Sequence, residues 1–129
     1  MEDITATAEK VIQSLQKENR KGEKVMYLTS SQIRKFLTAV NCMENKVSIY
    51  KAVNPGILEL TEELAMEIKY LKVKLAYQAG REKEVKIFVE KAQLMHRIER
   101  IGKNLRAFEE FSRYMEALVA YHKFYGGKD

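Results

Sequence analysis

A single proline, Pro55, stands among 129 residues, and that scarcity constrains the fold more than any other feature of the chain. Proline fixes φ and lacks an amide donor, so a chain almost free of it can run long helices without interruption. Pro55 lies in Asn54-Pro55-Gly56, a turn signal because the following glycine accepts the positive φ of a tight turn. Around this one break, apolar residues recur at helical spacing. The expectation is an all-α fold, a compact bundle of about five helices in one domain spanning residues 1–129.

The first helix reads from Ile4 to Glu18, with Ala8, Val11, Ile12 and Leu15 three or four apart, and within residues 1–27 it is the least sharply marked element. A second begins at Thr29-Ser30-Ser31-Gln32, where Thr29 can accept from the Gln32 amide and Gln32 can reach back, a reciprocal capping box. Ile33, Phe36, Leu37, Val40 and Val47 share one side of it, and Ser31, Arg34, Thr38 and Asn41 gather roughly 100° away. Arg34 is therefore expected to face outward. The third helix follows Thr61, an N-cap with Glu62 and Glu63 suited to the positive helix end, and is expected to close at Gly80. It carries two apolar stripes, Leu64-Ile68-Leu71-Leu75 and Met66-Tyr70-Val73-Tyr77, and so reads as a central helix. A fourth runs from Glu82 to about Ile101, with Gly102 ending or bending it, and the last from about Asn104 to Phe124, closed by Gly126-Gly127. Only Val47 to Tyr50 competes as a strand, and it is too short to build a sheet.

Charge is distributed unevenly over this frame. Between Lys69 and Arg106 lie eleven Lys/Arg and four Glu, a surplus of seven in a chain of net +5. The remainder is slightly acidic. A positive surplus confined to adjacent helices is the electrostatic footprint of a polyanion binder. Lys69 and Lys72, three apart, share one polar seam of the third helix, and Lys74 lies in the other. Tandem aromatic strands, zinc-finger ligands and a recognition helix are missing from the pattern, which favours phosphate contact over base reading.

The residues that carry chemistry elsewhere do not assemble here. His96 and Glu99 offer two ligands where zinc needs three or four, so a surface pair is the better reading and no metal is expected. His122, among Tyr121, Phe124 and Tyr125, lacks a positioned nucleophile and reads as a packed histidine. Lone Cys42 can form no internal disulfide, has no evident base, and reads as a small buried hydrophobe. Gly126-Gly127 ends a helix where a phosphate loop would open one, so no nucleotide cofactor is expected. No enzyme is expected. No secretory signal or run of roughly 20 apolar residues appears, so a cytoplasmic location without a membrane partner is expected.

Three motifs in order carry a resemblance: Leu28-Thr29-Ser30-Ser31-Gln32-Ile33-Arg34-Lys35-Phe36, then Leu75-Ala76-Tyr77-Gln78-Ala79-Gly80-Arg81, then Phe111 followed by Glu116-Ala117-Leu118-Val119-Ala120-Tyr121-His122-Lys123-Phe124-Tyr125-Gly126-Gly127. Together they resemble the small subunit of type III-A CRISPR effector complexes, the Csm family, over residues 28–127, with 1–27 outside the resemblance. The resemblance implies a non-catalytic helical subunit of an antiviral ribonucleoprotein, lining the duplex of guide RNA and target RNA without cleaving it. It implies contacts with copies of itself, with the backbone subunits and with the large polymerase-like subunit. Carried onto the matching positions it points first to Arg34 and Arg81 as RNA-binding residues. Lys35, Lys69, Lys72 and Lys74 follow on charge and helix geometry. The competing expectation is a structural helical adaptor whose basic face binds an acidic protein surface. Tyr121 and His122 are expected to serve packing, and the second stripe of the third helix to serve as an interface if the core leaves it open.

Overall fold

The computed structural model describes residues 2–127. Six helices and one two-stranded hairpin follow each other as α1 (Ile4–Leu15), β1 (Gln16–Glu18), β2 (Lys24–Met26), α2 (Ser30–Val53), α3 (Glu62–Arg81), α4 (Lys83–Ala92), α5 (Leu94–Ile101) and α6 (Leu105–Phe124). The helical bundle matches expectation, with three departures: at the end of α1, within the expected fourth helix, and in which helix is central.

The first departure is at the end of α1. The Asp3 carboxylate caps the helix through the amides of Thr5 and Ala6, both at 3.1 Å. The helix stops at Leu15, and the residues expected to continue it pair instead as an antiparallel hairpin with Gln16 opposite Met26. The turn between the strands is held by the Asn19 side chain, which accepts from the amides of Lys21 at 2.9 Å and Glu23 at 3.0 Å. Val47 to Tyr50, the stretch with some strand character, lies inside α2.

The second departure splits the expected fourth helix. Gln93 adopts φ 55° and ψ 39°, the left-handed region, and separates α4 from α5. Its amide still donates to the Glu90 carbonyl at 3.2 Å, and its carbonyl accepts from Arg97 at 3.0 Å. Beside the break the buried Tyr114 hydroxyl donates to the Ala92 carbonyl at 3.0 Å, and the Arg97 guanidinium lies over the Tyr114 ring at 4.0 Å.

The centre of the bundle is α6, not α3. Leu105, Phe108, Phe111, Tyr114, Met115, Leu118 and His122 are all buried along α6, which packs against α1, α2 and α5. Phe36 of α2 meets Phe111 edge-on with ring centroids 6.5 Å apart. α3 buries only Ile68, Leu71 and Leu75. Its second stripe, Met66, Tyr70, Val73 and Tyr77, is 53% to 67% exposed. Periodicity marks two apolar faces on α3, but only one has neighbours to cover it.

The ends of α2 fix its relation to α3. Both halves of the capping box form: the Gln32 amide donates to Thr29 Oγ1 at 3.1 Å, and the Thr29 amide donates to Gln32 Oε1 at 2.9 Å. The Gln32 carbonyl also accepts from Gln78 Nε2 at 2.8 Å. Near the other end, Lys46 pairs with Glu67 at 2.7 Å. The two helices therefore run antiparallel, the start of α2 beside the end of α3. After the Asn54-Pro55-Gly56 turn the chain returns past α6, where the Leu60 amide donates to the Lys103 carbonyl at 2.7 Å.

Candidate nucleic-acid interface

Because Thr29 and Gln32 fix where α2 begins, they also fix which residues of its first turns point outward. Ser31, Arg34, Lys35 and Thr38 line a shallow depression of about 410 Å³. Ile33 and Phe36, between them in sequence, are buried. Arg34 and Lys35 are exposed, and neither forms an ion pair among the described residues. The Thr38 hydroxyl donates to the Arg34 carbonyl at 3.0 Å. Two unpaired cations and the Ser31 hydroxyl at the start of one helix form a surface suited to phosphate oxygens.

Arg81, the last residue of α3, belongs to the same corner, since Gln78, one turn earlier, is bonded to the start of α2. Its guanidinium lies 5.6 Å from the centre of the Tyr77 ring. The contact holds the side chain over an aromatic face without neutralising its charge. Arg81 thus sits at the end of α3 that packs beside the start of α2, while Arg34 and Lys35 line the depression on α2 itself.

The other three cations lie elsewhere. Lys72 donates to Glu99 Oε2 of α5 at 2.5 Å, and Lys69 approaches the other oxygen of the same carboxylate at 3.9 Å. Glu99 is held below the usual carboxylate range, chiefly by the Lys72 hydrogen bond and then by the charges of Lys72 and Lys69. One carboxylate thus offsets part of the field of two lysines. Glu99 therefore pairs with these lysines, and His96 is exposed one turn away. Lys74 faces a groove of about 770 Å³ between α2 and α3, which also exposes Cys42, Lys46, Met66 and Tyr70. Cys42, expected as a buried hydrophobe, is exposed there, because its position on α2 turns away from α6.

His122 is buried, and its Nε2 lies 2.6 Å from the Leu28 carbonyl. Burial pushes its pKa down, the Leu28 hydrogen bond opposes this, and the nearby charges of Lys123 and Arg34 lower it further. The ring is a neutral strut beneath the start of α2, in keeping with its apolar surroundings. Gly127 lies so close that a Cβ there would overlap the imidazole. The hydroxyls of Ser31 and Thr38 and the tertiary role of Gln32 are the parts of this corner that sequence reasoning leaves unassigned. The capping box is the signal for Gln32. No group of three or more His, Cys, Asp or Glu able to hold a metal occurs among the described residues.

Comparison with known proteins agrees with the three motifs. The family described as Csm2 Type III-A matches residues 1–128, so the match takes in the N-terminal segment that the motifs do not reach. The chain is 42% identical over 128 residues to the CRISPR system Cms protein Csm2 of Streptococcus thermophilus, covering 99% of this chain and 95% of that protein. It is 36% identical over 114 residues to the protein of the same name from Enterococcus italicus, covering 84% and 78%. The Mycobacterium tuberculosis protein of that name is 37% identical over 102 residues, covering 79% and 78%.

Proposed function

The chain belongs to the Csm2 family, the non-catalytic small subunit of type III-A CRISPR Csm complexes, and from that premise we propose that it lines the duplex of guide RNA and target RNA through phosphate contacts. The observation that carries this reading is the corner where α2 starts and α3 ends. Arg34 and Lys35 line the depression on α2 beside the Ser31 hydroxyl, Arg81 ends the neighbouring α3, and none of the three cations has a carboxylate partner among the described residues. Such contacts follow the sugar-phosphate backbone and are indifferent to sequence, as a subunit that serves any guide requires.

Lys69 and Lys72 make a weaker second patch, because Glu99 competes with RNA for them. Lys74 contributes from the groove side of α3. The exposed stripe of α3 and the aromatic end of α6 would meet neighbouring copies of the subunit, the backbone subunits or the large polymerase-like subunit. No helix among the described residues is long and apolar enough to cross a membrane, and the proposed site of action is the cytoplasm.

The test is the salt dependence of target-RNA binding by the reconstituted effector. Reversing Arg34 and Arg81 together to Glu should weaken binding and flatten the slope of log K against log salt by about two units, one for each phosphate that is no longer neutralised. Both side chains are exposed, so helicity should hold. The Lys69→Glu/Lys72→Glu pair should change the slope less. An unchanged slope in the first variant would refute these assignments, and retention of target RNA without any small subunit would refute the lining role.

A further inference from the structure

A second recess, of about 380 Å³, opens where α1, the hairpin and α4 meet. It uses part of the basic stretch that the duplex-lining face leaves idle. Leu15, Leu28 and Ile87 supply its apolar surface, and Tyr27, 56% exposed, stands at its edge. Lys17 of β1 and Lys83 and Lys91 of α4 surround it. None of the three has a carboxylate partner among the described residues. Lys91 donates only to the Ser14 carbonyl, at 3.3 Å. Glu84 is the one carboxylate on the wall, so the recess is positive on balance.

The wall of α4 is positive for a further reason. Glu82, at its N-cap position, makes no side-chain cap, because its carboxylate accepts from Gln32 Nε2 at 2.6 Å instead. The first turn of α4, at Lys83 and Glu84, therefore keeps uncapped amides and the positive end of its dipole beside the lysines.

We propose that this recess binds a single unpaired nucleotide. The base lies on the Tyr27 ring and the apolar surface, and the phosphate sits among Lys17, Lys83 and Lys91. Base-on-aromatic stacking combined with a cationic groove is the usual recognition of unpaired nucleotides. The volume lies at the small end of ligand pockets, roughly 300–1,000 Å³, which suits one nucleotide and not a duplex. An acidic peptide fits less well, since its carboxylates would meet Glu84, whereas ribose hydroxyls can donate to it. A free nucleotide and one unpaired residue of an RNA strand present the same chemistry to these groups. This site shares no residue with the duplex-lining face, so either can fail alone.

The experiment titrates the full chain, labelled with nitrogen-15, with adenosine 5′-monophosphate, a single-stranded pentanucleotide RNA, inorganic phosphate, adenosine and an acidic peptide. The expected result is saturable shifts of the amides of Lys83 to Ile87 with the monophosphate. Lys17→Glu/Lys83→Glu should weaken binding at least roughly tenfold and Tyr27→Ala about tenfold. These side chains are exposed, so circular dichroism should show an intact fold. Arg34→Glu/Arg81→Glu should leave the affinity unchanged. Tighter binding of the pentanucleotide assigns the ligand to a strand, and tighter binding of the monophosphate assigns it to a free nucleotide. The proposal is overturned if neither saturates, if phosphate alone or the acidic peptide binds as tightly, or if the recess variants bind as wild type does.

Discussion

Replacing Gln93 with glycine should make this protein more stable. Gln93, at φ 55°, is the one non-glycine described residue with positive φ. A left-handed conformation costs an L-residue about 1–2 kcal/mol. Glycine escapes that cost but makes the unfolded chain more flexible, which returns about 0.4–1 kcal/mol. The net gain lies between zero and about 1.6 kcal/mol, centred near 0.8 kcal/mol and there worth roughly 3–4 °C in melting temperature for a domain of this size. The folded state loses little in exchange, since Gln93 is exposed and its bonds to Glu90 and Arg97 are made by the backbone. Were residues 82–101 one continuous helix, the same substitution would instead cost about 0.5–1 kcal/mol, because glycine is a poor interior helix residue. The sign of the effect therefore decides between the two structures. Thermal and urea denaturation followed by circular dichroism would measure it, with Gln93→Ala, which keeps the Cβ, expected within about 0.5 kcal/mol of wild type. A clear loss of stability in the glycine variant would refute the break between α4 and α5.

Two other outcomes follow from the charges. Glu99→Gln releases Lys69 and Lys72 and should steepen the salt dependence of RNA binding by about one unit; no change in slope would mean that these lysines do not reach RNA. The folded state holds His122 neutral because burial lowers its pKa. The unfolded chain takes up a proton near pH 6.5, so the unfolded state binds more protons and stability falls as pH drops below about 6.5. Melting temperatures at about pH 5 and about pH 7 should show this loss, and His122→Gln should reduce it; an equal loss in the variant would assign the acid sensitivity to other groups.

The parts of the fold that can be read from sequence are those whose signals are local. Thr29 with Gln32, Thr61 with its following glutamates, and Asn54-Pro55-Gly56 each impose a boundary through their own chemistry, and each boundary is found. The break at Gln93 has no such mark. The stripe of Val85, Phe88, Ala92, Met95 and Ile98 continues across it, and glutamine is an ordinary helix former. The hairpin is hidden because strands of three residues, Gln16–Glu18 and Lys24–Met26, are too short to show alternation. Cys42 and the central place read for α3 depart from expectation together, because whether an apolar face is covered depends on which helices pack beside it. The candidate site divides in the same way. Arg34 can be placed outward from the capping box and helix geometry, but the pairing of Lys72 with Glu99 needs α3 and α5 side by side.

Gln32 limits which sequences this fold accepts. By the rules for helix starts, glutamate and glutamine serve equally well at the third position of a capping box. Here the side-chain oxygen is committed to the Thr29 amide and the side-chain nitrogen to the Glu82 carboxylate. Glutamate would keep the first bond and set a second negative charge against Glu82. A substitution that is silent in the helix alone thus becomes a conflict between distant segments, and glutamate at residue 32 calls for a change at residue 82.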